Sequence, residues 1–134
     1  MSTSTPPAAL RLLVVDDEAG YLDVLSKRLT KRGIEVTTVR SGDDGIQVLR
    51  KNDFDVAIVD LRMEGMDGIE VLEIFKKMDP DLAVIILTGH GSAQAAKEGI
   101  AKGAYDYLSK PCDLETLLKH INAAAGREPP ETAH

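Results

Sequence analysis

A chain of 134 residues, 43% hydrophobic and 28% charged, has the length of one domain and enough apolar material to bury a core. A net charge of −6 and only 4% aromatic residues speak against a direct nucleic-acid surface, which needs clustered cations or rings for base stacking. No apolar run approaches the roughly 18 residues of a membrane span, Met1 to Pro7 lacks the basic start and apolar centre of a secretion signal, and the one cysteine, Cys112, fits a reducing cytoplasm and reads as a bystander thiol.

Residues 1–9 are polar and proline-bearing and read as a flexible leader. Leu10 to Val15 is an apolar strand that runs into Asp16-Asp17. From Glu18 the period turns helical, with Leu22, Leu25 and Leu29 on one face and Gly33 as a stop. Ile34 to Val39 alternates apolar and polar positions, as an edge strand does. Ser41 and Asp44 have the spacing of a capping box before a second helix whose Ile46 and Leu49 face inward. Val56 to Val59 is mostly β-branched and too short for a buried helix. It reads as a strand covered on both faces that stops on Asp60, just before a glycine-rich turn.

Gly68 to Met78 is a third helix with Ile69, Leu72 and Phe75 inward, ended by Asp79-Pro80. Leu82 to Leu87 is a second fully apolar strand and runs into Thr88. The helix after it, Ser92 to Lys102, is alanine-rich, contains Gly99 and has Ile100 as its single large apolar residue, so it is expected to be the loosest. Tyr105 to Ser109 is a second edge strand, running into Lys110-Pro111. Asp113 caps a last helix with Leu114, Leu117, Leu118 and Ile121 inward. Gly126 ends it, and residues 126–134 read as a loose tail, leaving residues 10–125 as the domain.

Five strand–helix units in alternation imply a flavodoxin-like doubly wound (βα)5 fold, with the two alternating strands at the edges and a parallel sheet of order 2-1-3-4-5. Ligands bind such sheets beyond the carboxyl ends of the strands, at the point where strand order reverses. Asp16, Asp17 and Asp60 emerge there. One aspartate at a strand end is usually a turn former; three of them with Thr88 and Lys110 form a constellation. Carboxylates so close raise one another's pKa, and a divalent cation relieves them. An all-oxygen set favours Mg2+, or Mn2+, over zinc. Cation, ammonium and hydroxyl together make a clamp for a phosphoryl group, and Asp60 can be the attacking carboxylate. His90 and His120 lack companion ligands at metal spacing and read as solvated surface. Gly89-His-Gly91 is not a dinucleotide loop, because position 94 is Gln.

Asp16-Asp17, Asp60, Thr88-Gly89 and Tyr107-Leu-Ser-Lys110-Pro111, in this order and context, resemble the receiver domain of two-component response regulators. The resemblance implies that Asp60 accepts a phosphoryl group from the phosphohistidine of a sensor histidine kinase or a histidine phosphotransfer protein. It implies direct Mg2+ ligation by Asp17, Asp60 and the Arg62 carbonyl, with Asp16 acting through water. Lys110 and Thr88 would hold phosphoryl oxygens, and the Lys110-Pro111 bond would be cis. Tyr107 would turn inward as Thr88 moves, altering the face made by the fourth helix, fifth strand and fifth helix for a downstream protein or a phosphorylation-dependent dimer. Such a domain catalyses only its own phosphorylation and dephosphorylation, so it is not read as an enzyme.

Three positions would tune this chemistry. Gly89 leaves the site open to a donor imidazole, while Arg62 and His90 flank it, Arg62 shielding the phosphoryl from water. A stand-alone cytoplasmic receiver, touching neither membrane nor nucleic acid directly, is the leading expectation; a receiver within a longer regulator is the alternative. A small Asp-nucleophile phosphatase fits less well, since its first strand would carry D-x-D. A dinucleotide binder fits worst, because Asp16-Asp17-Glu18 would repel a pyrophosphate.

Overall fold

The structure, a computed structural model, describes residues 8–127; residues 1–7 and 128–134, most of the expected leader and tail, lie outside the described residues. The elements are β1 (Arg11–Val15), α1 (Ala19–Thr30), β2 (Glu35–Val39), α2 (Gly42–Lys51), β3 (Val56–Val59), α3 (Gly68–Met78), β4 (Ala83–Thr88), α4 (Ala93–Ala101), β5 (Asp106–Ser109) and α5 (Leu114–Ala124). All strand pairs are parallel and the order is β2-β1-β3-β4-β5, as the alternation of apolar and mixed strands predicts.

Side chains alternate across the sheet, and each face builds its own core. Leu12, Val14, Ile58 and Ile85 meet Leu22, Leu25 and Leu29 of α1 and Leu117 and Ile121 of α5. Leu13, Val15, Val59 and Ile86 meet Leu49 of α2 and Val71, Leu72 and Phe75 of α3 on the other side. Val71, not Ile69, is the fully buried residue beside Leu72; Ile69 and Ile46 pack only partly against this core. Leu114 is likewise half-buried at the margin of α5.

Local signals account for the ends of the elements. Gly33, at φ +85°, follows α1 in the left-handed region, and the Ile34 N–H returns to the Leu29 carbonyl. Ser41 accepts a bond from the Asp44 N–H, and Asp113 accepts one from Thr116. The complete reciprocal capping box lies elsewhere, between Asp67 and Glu70 at the start of α3. Only Gly99 of α4 is buried, and Ile100 is 50% exposed, so the helix turns its glycine to the sheet and its one large apolar side chain to solvent. A Cβ on Gly99 would come within 2.6 Å of Ile86 Cδ1. Gly99 is therefore a close-approach residue as well as a weak helix former.

Candidate functional site

Register gathers the site. Val15 pairs with Val39 on one side and with Val59 on the other, so the next residues, Asp16 and Asp60, leave neighbouring strands at one level. Backbone bonds carry the ladder one step further: Asp16 N–H to the Val39 carbonyl at 3.1 Å, Asp60 N–H to the Val15 carbonyl at 3.1 Å, and Lys110 N–H to the Thr88 carbonyl at 2.9 Å. Each chemical side chain is thus fixed at its root by sheet geometry.

Carboxylate oxygens of Asp16, Asp17 and Asp60 lie within 4.8 Å of one another; Asp16 and Asp60 are buried and Asp17 half-buried. Lys110 Nζ reaches into the cluster, 2.7 Å from Asp16 Oδ2 and 3.6 Å from Asp60 Oδ2, with the exposed Glu18 Oε1 also at 3.6 Å. Asp16 Oδ1 takes the Glu18 N–H at 3.0 Å, so both oxygens of Asp16 have protein donors. Asp60 differs: its buried Oδ1 has no partner among the described residues. Burial pushes the Asp16 carboxyl above its ordinary range in spite of Lys110. For Lys110, burial pushes the ammonium pKa down, but the hydrogen bond and charge of Asp16, then the charge of Asp60, outweigh it and leave the pKa raised.

Three carboxylates against one ammonium leave two negative charges in a partly buried crevice, and one carboxylate oxygen of Asp60 is buried there without a hydrogen-bond partner among the described residues. A buried acceptor with no donor is costly. A hard divalent cation with oxygen ligands answers both, so the donor set fits magnesium or manganese.

Thr88, buried at the end of β4, accepts the His90 N–H at 3.1 Å through its hydroxyl. Gly89 is exposed, and a Cβ there would make only an ordinary 3.8 Å contact with Lys110 Cβ. Arg62 and His90 are exposed across the mouth, with Arg62 Nη1 3.4 Å from His90 Nδ1, and with Asp17, Met63, Glu64 and Asp67 they line a cleft of about 430 Å³. The Lys110-Pro111 peptide is cis. Tyr107 already lies inward in this structure: its hydroxyl is buried in the space above Gly91, without a partner among the described residues.

One expectation needs correction. His120 is not a solvated surface histidine; its Nδ1 bonds to Asp106 Oδ2, tying α5 to β5. Sequence reasoning also missed Tyr21. Its ring lies 4.1 Å from Lys110 Nζ, and burial raises its phenol pKa. The available signal was its i, i+4 spacing to Leu25, which puts it at the strand-end margin of the buried stripe of α1.

Fold and acidic edge together define a flavodoxin-like α/β domain with its crevice at the switch point. The family model described as response regulator receiver domain matches residues 12–122, and the chain belongs to that family, the receiver domains of two-component response regulators. It is 40% identical over 121 residues to the transcriptional regulatory protein GlrR of Escherichia coli strain K12, covering 90% of this chain and 27% of that protein. The photosynthetic apparatus regulatory protein RegA of Cereibacter sphaeroides is 35% identical over 119 residues, covering 89% and 65%. A solved receiver domain from Clostridium thermocellum superposes with a TM-score of 0.83 at 37% identity, covering 87% of this chain and 94% of that one. A CheY-like receiver from Methanospirillum hungatei gives 0.85 at 29%, covering 88% and 94%. The chain spans about a quarter of the length of GlrR and of the transcriptional regulator NtrC of Klebsiella pneumoniae.

Proposed function

We propose that residues 10–125 are a phosphoacceptor unit in which Asp60 takes a phosphoryl group from the phosphohistidine of a histidine kinase or histidine phosphotransfer protein. The observation that carries this is Asp60 itself: central, buried, held at its root by the Val15 carbonyl, with Lys110 near one oxygen and no partner among the described residues on the other. A carboxylate oxygen of Asp60 attacks phosphorus, the O–P bond forms as the N–P bond breaks, and the imidazole leaves with the electron pair. By analogy with the family, Asp17, Asp60 and the Arg62 carbonyl would hold Mg2+ directly and Asp16 through water. When bound, the cation supplies charge neutralisation for the carboxylates and the incoming phosphoryl.

Lys110 exchanges carboxylate partners for a phosphoryl oxygen, and the Thr88 hydroxyl donates to another after leaving the His90 N–H. Movement of Thr88, whose Cγ2 lies beside the space above Gly91, is felt by Tyr107 and so by the face of α4, β5 and α5. Arg62, with His90 3.4 Å away, would screen the phosphoryl from attacking water, and Gly89 would leave the donor's path open. A downstream protein contact or a phosphorylation-dependent dimer would read the altered face.

A second role for the chain, as the regulatory part of a longer transcriptional regulator, is favoured by relatives bearing that name of which it spans about a quarter. Its output would then be DNA-directed through another domain. The test of the acceptor is intact mass after incubation with Mg2+ and acetyl phosphate. One added phosphoryl on the wild type, none on Asp60→Ala and none with a chelator are expected; equal labelling of Asp60→Ala contradicts the assignment.

A further inference from the structure

Among the described residues the Lys110 ammonium meets three carboxylates and one further group of a different kind. That group is the Tyr21 ring, its centroid 4.1 Å from Nζ. Tyr21 stands in the first turn of α1 and packs partly against the core beneath it, so the ring is fixed. An ammonium over an aromatic face is drawn by the ring quadrupole. That attraction differs from a carboxylate's in two ways that matter here. It adds no negative charge to a crevice that must accept a phosphoryl dianion. It also leaves the ammonium's N–H donors uncommitted, because the ring face is a broad attractor.

We infer that Tyr21 is a positioning residue for Lys110, its ring holding part of the ammonium beside the carboxylate cluster while Asp16 and Asp60 compete for it, so that a donor is free for the phosphoryl oxygen. The inference rests on Asp60 being the phosphoacceptor. An aliphatic residue at position 21 would exclude water equally well but would not attract the cation. Without the ring, Lys110 is held by carboxylates alone, the nearest being Asp16 Oδ2 at 2.7 Å, and no neutral attractor offsets their hold when the phosphoryl oxygen competes for the ammonium.

The test compares wild type, Tyr21→Phe and Tyr21→Leu. Phosphorylation by acetyl phosphate with Mg2+ is followed by intact mass, and the Lys110 Cε protons are followed by NMR in the untreated proteins. Tyr21→Leu is expected to phosphorylate about three- to tenfold more slowly, and Tyr21→Phe to keep most of the wild-type rate, because it keeps the ring face. The Lys110 Cε protons should carry an upfield ring-current shift in wild type and Tyr21→Phe that is gone in Tyr21→Leu. Equal rates in all three, or a rate loss in Tyr21→Phe as large as in Tyr21→Leu, overturns the inference. So does a Lys110 shift in the wild type no different from that of an exposed lysine, a result that holds even if Tyr21→Leu does not fold. Failure of the wild type to gain a phosphoryl overturns instead the assignment of Asp60.

Discussion

Five side chains of the crevice were legible in the sequence for a physical reason: Asp16, Asp60 and Thr88 close or directly follow an apolar strand, Asp17 comes one residue after Asp16, and Lys110 directly follows the mixed edge strand β5. A parallel sheet delivers such positions to one edge whatever the helices do. Contacts made by side-chain reach were not legible, among them Tyr21 on Lys110, His120 on Asp106 and the Tyr107 phenol over Gly91. Gly91 is the sharpest case. A Cβ built on it would stand 1.4 Å from the Tyr107 hydroxyl and 3.2 Å from Thr88 Cγ2, so any side chain there evicts the ring. Gly91→Ala is expected to cost about 1–3 kcal/mol in urea unfolding and to expose Tyr107 to solvent quenching. Gly89→Ala, with its nearest contact at 3.8 Å, should stay within about 0.5 kcal/mol of wild type. Equal stability of the two variants would contradict the seat assigned to Tyr107.

At the scale of elements, the start of α3 fixes the loop that follows Asp60. Gly68 donates its N–H to the Leu61 carbonyl at 2.9 Å, and a Cβ on it would come 2.3 Å from the Asp60 carbonyl oxygen and 2.7 Å from Leu61 Cα. Both obstacles are backbone and cannot swing aside. Gly68→Ala should therefore destabilise by about 2 kcal/mol or more and weaken Mg2+ binding in step, since the strained segment carries Asp60 and the Arg62 carbonyl. Loss of stability with unchanged Mg2+ affinity would separate the helix start from the site. The sequence showed α3 without naming a cap for it, and the structure supplies the complete Asp67–Glu70 box that opens it. It also showed α4 as weak. The structure adds that its glycine faces the sheet, where close approach to Ile86 replaces the large side chain the helix lacks.

For the whole molecule, strand order followed from which strands were apolar throughout and which alternated, and the observed sheet has that order. What composition could not reveal is how the two cores support a charged rim. Each face is closed by its own helices, and the unsatisfied electrostatics are left at one edge of the sheet. The folded state binds the Asp16 proton more tightly than the unfolded chain does, since burial raises this pKa. Its contribution to stability is therefore present at acid pH and is lost as pH rises through the folded-state value. A cation held by the carboxylates would supply the neutralisation that the proton supplies at acid pH. Added Mg2+ is thus expected to raise the melting temperature more at pH 8 than at pH 5, and Asp60→Ala should lose most of the gain. A Mg2+ effect independent of pH would contradict this coupling.

The phosphoryl site proposed at Asp60 can be read chemically. Borohydride reduces an aspartyl phosphate to homoserine while leaving free carboxylates untouched. After treatment with Mg2+ and acetyl phosphate, then borohydride and proteolysis, peptide sequencing by mass spectrometry should find homoserine at position 60 and unchanged aspartate at positions 16 and 17. Homoserine at either of those positions, or none at 60 in a protein that has gained a phosphoryl, would contradict the account.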